Sequence, residues 1–150
     1  MIPPRVRASR KSQRSRKQRI DAAIEEAKRR AGYRCLITGL TREQLMERGS
    51  SILVGAHLLP RNVGFPRYTP DNPDNIIPMS QGHHYLMDAN FSPRRKADWL
   101  RAHNLPYYAD RILWIIGEIE EEPVNPYALA EKKSGAQLWS FVRDNFLGER

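Results

Sequence analysis

"SILVGAHLLP" (residues 51–60) is apolar and β-branched up to its closing proline, and "NIIPMSQGHHYLMD" (75–88) opens as a second short apolar run before its pattern changes. The first reads as a strand that ends near the lone His57. In the second, residues 75–80 read as extended, and Ser80 stands where a helix cap belongs, so the residues from 81 onward read as a helix. Between the two, "RNVGFPRYTPDNPD" (61–74) holds three prolines, a glycine and two asparagines. It must be a loop of about a dozen residues, a length more often functional than idle. The middle of the chain is therefore strand, long loop, short strand, helix. On that helix His84 and Asp88 are four apart, hence on one face and within reach of one ion, while His83 points about a quarter-turn away. An imidazole with a carboxylate suits a divalent metal whose other positions are filled by water or substrate oxygens. The same pair is equally a surface hydrogen bond.

Working outward, "IDAAIEEAKRRAGY" (20–33) reads as a helix, with Ile20, Ala23, Ile24 and Ala27 on one stripe and Gly32 as its stop. "TREQLMERG" (41–49) reads as a brief helix capped by Thr41 and ended by Gly49. Downstream, "SPRRKADWLRAHN" (92–104) opens on a Ser-Pro helix start, and "YYADRILWIIGEIEEE" (107–122) carries Ile112, Ile115, Ile116 and Ile119 on an apolar face. "NPYALAEKKSGAQLWSFVRDNF" (125–146) repeats the start signal, with Ser134 and Gly135 as a possible break. Trp99, Trp114 and Trp139 read as core, His103 as a capping or surface residue, and the Glu-rich run at 118–122 as exposed. Cys35, the single cysteine, reads as a small buried hydrophobe.

The 150 residues suit one domain. We read 20–150 as that α+β domain, with a helical C-terminal extension from 92, and 1–19 as a basic, disordered tail. No run of 18 apolar residues suggests a membrane span, and the N-terminus has no apolar core of a secretory signal. With one cysteine there is no intrachain disulfide, and a reducing, cytoplasmic compartment of a bacterium or phage-infected cell fits. Charge is unevenly placed: residues 1–34 hold twelve Lys/Arg against three Asp/Glu, a net +9, whereas 35–150 hold thirteen against fourteen, a net −1. Arg10, Lys11, Arg14, Arg16, Lys17 and Arg19 lie in a stretch without an acid, which suits a polyphosphate partner, since each neutralised phosphate releases counterions. From charge alone the expected partner is DNA or RNA; a solubilising leader is the bland alternative. Arg94, Arg95 and Lys96 either clamp a phosphate or form a solvated face.

Joined together, "CLITG" (35–39), "GAHLLP" (55–60) and "DNIIPMSQGHHYLMD" (74–88) resemble the HNH endonuclease family, a β-β-α-metal unit. More narrowly they are similar to a branch with the pattern C-x-x-T-G, A-H-I-x-P, N-G-I-x-L, H-x-x-x-D. His57, Asn75 and His84 take the family's places in order, with Asp88 one turn on. The resemblance implies a metal-dependent endonuclease that hydrolyses DNA phosphodiester bonds to a 5′-phosphate and a 3′-hydroxyl. It implies His57 as general base, an imidazole being matched to neutral pH. It implies that Asn75 holds the long loop and orients His57, and that His84 and Asp88 hold one divalent ion, Mg²⁺ or Mn²⁺ first, Zn²⁺ or Ni²⁺ next.

Two departures stand out. Many relatives place an Asp or His just before the base as a third ligand, but Ala56 stands here, so Asp74 or His83 is the candidate substitute and metal affinity is expected to be weak. Many relatives also carry a four-cysteine zinc ribbon, which Cys35 alone cannot build, so flanking helices must stabilise the fold. A non-catalytic nucleic-acid-binding module on the same fold is the alternative reading.

Overall fold

The structure is a computed structural model and describes residues 4–49, 52–59, 69–90, 92–129, 133 and 135–148, with side chains of the first helix described from Ser15 onward. It is mixed α+β, one two-stranded antiparallel sheet among helices. The helices are α1 (Pro4–Arg30), α2 (Arg42–Glu47), α3 (Gln81–Asp88), α4 (Pro93–Ala102), α5 (Pro106–Ile115) and α6 (Gly135–Phe146), and the strands are β1 (Leu53–His57) and β2 (Ile76–Ser80). Among the described residues no helix is long and apolar enough to cross a membrane.

The first helix differs from expectation. It begins at Pro4, so residues 4–19, expected to be disordered, have helical backbone. Proline costs nothing at a helix start, no breaker lies between Arg5 and Arg19, and Arg, Lys and Gln are good helix formers. Once the packed turns have nucleated, each added residue extends the helix cheaply. Packing begins at Ile20: Ile20, Ala23, Ala27 and Ala31 are buried. The helix ends as expected, with Gly32 and Tyr33 in the left-handed region and the Tyr33 N–H returning to the Lys28 carbonyl at 2.8 Å.

Close approach of α1 to the sheet is set by one glycine. In the register, Gly55 faces Pro78 and His57 faces Ile76. A Cβ at position 55 would lie 2.8 Å from Ile24 Cγ2 and 2.9 Å from Ile76 Cγ2, tighter than real side chains allow. Gly55→Ala is therefore expected to lower stability by about 1–3 kcal/mol through overpacking. Chemical denaturation measures it; a wild-type midpoint would mean that α1 does not seat on this strand.

The remaining core lies elsewhere, where Ala56, Ile77, Met79, Met87, Leu100 and Ile112 join one buried cluster. Cys35 is part of it, fully buried as expected. "CLITG" forms a turn rather than a metal knuckle: the Gly39 N–H reaches the Cys35 carbonyl at 2.7 Å, and the Leu36 N–H docks on the Pro78 carbonyl of β2 at 3.0 Å.

Further boundaries shift for local reasons. Helix α5 stops at Ile115 because Gly117 turns left-handed (φ +81°), so Ile116 is exposed instead of continuing the apolar face to Glu122. The C-terminal run is broken into a 3₁₀ turn (Pro126–Leu129) and α6. Trp99 and Trp139 are partly buried against the core, whereas Trp114 lies under the Arg111 guanidinium, 5.5 Å from its ring centre. Arg111 itself is buried and bonds the Tyr107 hydroxyl and Glu122.

Candidate active site

Strand β1 delivers His57, half-buried, to the mouth of the loop. Residues 60–68, most of the loop expected over 61–74, lie outside the described residues. Its downstream end turns at 69–72, and there the Pro70 carbonyl lies 2.9 Å from His57 Nε2. A carbonyl only accepts, so Nε2 carries the hydrogen, and in the neutral ring the lone pair belongs to Nδ1.

Asn75 is 1% exposed. Its Oδ1 accepts from the Leu59 N–H at 2.9 Å, its Nδ2 donates to the Thr69 carbonyl at 3.4 Å, and its own carbonyl accepts from the Leu58 N–H at 2.8 Å. One side chain thus joins both ends of the loop, residues 59 and 69. It reaches His57 through the backbone: Asn75 holds Thr69, and the next residue, Pro70, holds the imidazole.

Helix α3 starts where Ser80 predicts, the Ser80 Oγ accepting from the His83 N–H at 3.2 Å. Met87 anchors the helix in the core. One turn apart, His84 Nε2 and Asp88 Oδ2 meet at 2.9 Å, their side chains 29% and 50% exposed. The Tyr85 ring lies parallel to that of His84, 7° apart in plane.

The two candidate substitute ligands face other partners. Asp74 accepts from Arg30 Nη1 at 2.8 Å, on the side of α1. His83 Nδ1 is 2.7 Å from the Ser80 hydroxyl, and its ring stands edge-on to His103, 6.1 Å between centres. Burial, then the neighbouring His103, pushes the His83 pKa down, favouring its neutral form. His103 caps α4, with its ring stacked on Trp99 at 3.9 Å.

Among the described residues no three His, Cys, Asp or Glu side chains gather around one point. The His84 and Asp88 donors, one nitrogen and one oxygen, nevertheless fit an ion that draws its remaining ligands from water and phosphate. Ala56, where a third ligand was missing by sequence, is fully buried in the core.

Of the cations singled out in the sequence, Arg10, Lys11 and Arg14 have side chains outside the described residues. Arg16 and Lys17 are exposed, and Arg19 pairs with Asp71 at 3.2 Å, tying α1 to the turn that holds His57. The three cations that open α4 diverge. Arg94 is exposed and pairs with Glu118 at 2.7 Å, Arg95 is exposed, and Lys96 turns inward. Sequence reasoning missed Pro70 and Thr69 as contributors, since both act through carbonyls, which every residue carries.

Residues 35–90 match the HNH endonuclease family. The matched segment takes in the "CLITG" turn, both strands, the loop and α3, and leaves α1 and α4 to α6 outside it. The family is one of nucleases acting on nucleic acid, usually with a metal ion. Neither the curated proteins nor the solved structures contain a match to this chain.

Proposed function

We propose that this protein is a metal-dependent HNH endonuclease that hydrolyses DNA phosphodiester bonds. The observation that carries this reading is the 2.9 Å contact of His57 Nε2 with the Pro70 carbonyl, inside a segment that matches the HNH family. That contact holds the ring and leaves the lone pair on Nδ1, the state a general base requires. His57 takes the proton of the attacking water, whose oxygen bonds to phosphorus as the P–O bond to the leaving oxygen breaks. Asn75 keeps the loop closed so that Pro70 stays in place. His84 and Asp88 hold one divalent ion, Mg²⁺ or Mn²⁺ by preference, Zn²⁺ or Ni²⁺ otherwise. When bound, such an ion supplies positive charge to the phosphate and the leaving oxygen. Arg10, Lys11, Arg14, Arg16, Lys17, Arg19, Arg94 and Arg95 are the cations assigned to the phosphate backbone, a salt-sensitive contribution without base preference, and RNA is the alternative partner.

The presence of only two metal donors among the described residues favours a second reading, a nucleic-acid-binding module without catalysis. Nicking of supercoiled plasmid separates the two. The wild-type protein is expected to nick with Mg²⁺ or Mn²⁺ and not in EDTA. His84→Ala and Asp88→Asn are each expected to lower the rate at least about tenfold and to raise the metal concentration needed, since loss of one of two protein ligands costs more than loss of one of several. Variants that keep the wild-type metal titration would remove the pair from the site. Binding without cleavage under every ion would favour the module.

A further inference from the structure

Lys96 sits where a lysine is costly. It lies in the first turns of α4, where the helix dipole disfavours a cation, and it is only 9% exposed. Its neighbours Arg94 and Arg95 stay on the surface, so the inward turn of Lys96 is not a property of the whole cluster. The Nζ donates to the Leu58 carbonyl at 3.2 Å, one residue past His57. An ammonium has three N–H donors, and the bond to Leu58 uses one of them.

Its electrostatic surroundings point the same way. Helix α4 packs against α3, which carries His84 and Asp88; burial pushes the Lys96 pKa down, and the Asp88 carboxylate opposes that shift. The Lys96 hydrogen bond to Leu58 ties the ammonium at the same time to the strand end that carries His57. A cation held by Asp88 and an ammonium nearby repel each other. Both are accommodated only when an anion lies between them.

We propose that Lys96 is a catalytic residue of this site, donating its spare N–H groups to a nonbridging oxygen of the scissile phosphate. The proposal rests on the nuclease reading above and adds the group that completes a site with two metal ligands. The phosphate bridges ammonium and ion, so substrate and metal bind cooperatively, and Lys96 weakens metal binding to the free protein while strengthening it in the complex with DNA.

The experiment uses the full chain. Lys96→Met keeps the buried stem and removes the charge. At saturating Mn²⁺ its plasmid nicking is expected to fall at least about tenfold, while Mn²⁺ binding to the free protein, followed by thermal shift, is unchanged or tighter. A purely structural lysine would not give that opposition of signs. In Lys96→Ala, ethylammonium is expected to restore part of the lost nicking. If Lys96→Met nicks like the wild type, or if it loses nicking and free-protein metal binding together, the proposal is overturned. Should Lys96→Met not fold, a folded Lys96→Ala without ethylammonium rescue overturns it equally. Failure of the wild type to nick with any ion sinks the nuclease reading, and this inference with it; wild-type nicking unaffected by Lys96→Met sinks this inference alone.

Discussion

His57→Ala is expected to reduce plasmid nicking by roughly 10²- to 10⁴-fold, the range contributed by a positioned general base. Binding of the same plasmid, measured without metal, should stay within about twofold of wild type, because the basic side chains of α1 and α4 are untouched. The stability change should also be small, since His57 is half-buried at a strand end and is outside the apolar clusters. The rate loss should appear in kcat rather than KM, because removing the base leaves phosphate contacts in place. A His57→Ala protein with near wild-type nicking would exclude His57 as the base, whatever the fate of the metal pair.

The second large effect belongs to a residue that touches no substrate. Asn75→Ala removes the bonds to Leu59 and Thr69 and leaves the buried Leu59 N–H without that partner, whereas the exposed Thr69 carbonyl keeps its bond from the Asn72 N–H. An orphaned buried group costs about 1–3 kcal/mol, and a loss of that size is expected. For a chain of this size that lowers the melting temperature by about 2–12 °C. Activity should fall further than stability explains: at a temperature where the variant is fully folded, nicking should still be reduced at least about tenfold, because the Pro70 carbonyl no longer fixes the imidazole. Asn75→Asp sharpens the test. It keeps an oxygen for Leu59 but turns a second oxygen toward the Thr69 carbonyl, so only the downstream end of the loop is repelled. If Asn75→Asp were as stable and active as wild type, the Thr69 link would have no role.

What was legible in the sequence was what neighbours in the chain decide. Thr41, Ser80 and Ser92 each cap the helix that follows, because a short side-chain oxygen meets its own backbone three residues on. Gly32 ends α1 because only left-handed backbone reaches back to its last carbonyls. The His84 and Asp88 pair followed from helical spacing alone. What the sequence hid was contact between distant segments. Asn75 was expected to hold the long loop and orient His57, but nothing in the chain around it names the groups it meets, the Leu59 N–H and the Thr69 carbonyl, or the Pro70 carbonyl that meets the imidazole. Asp74 looked like a spare ligand until Arg30, 44 positions earlier, was found beside it. Nothing local separates Lys96 from Arg94 and Arg95. The helical backbone of residues 4–19 was missed for a different reason: the absence of a core-forming stripe was taken as absence of order, whereas a helix anchored downstream extends without one.

Gly55 bears on the family match as well as on packing. The family match covers 35–90, yet the partner that fits over Gly55 is Ile24, and Leu100 and Ile112 complete the core on the other side. Two strands alone are at best marginally stable in water. The segment that matches the family is thus smaller than the packed unit, which draws on α1, α4 and α5 to cover the two faces of its sheet.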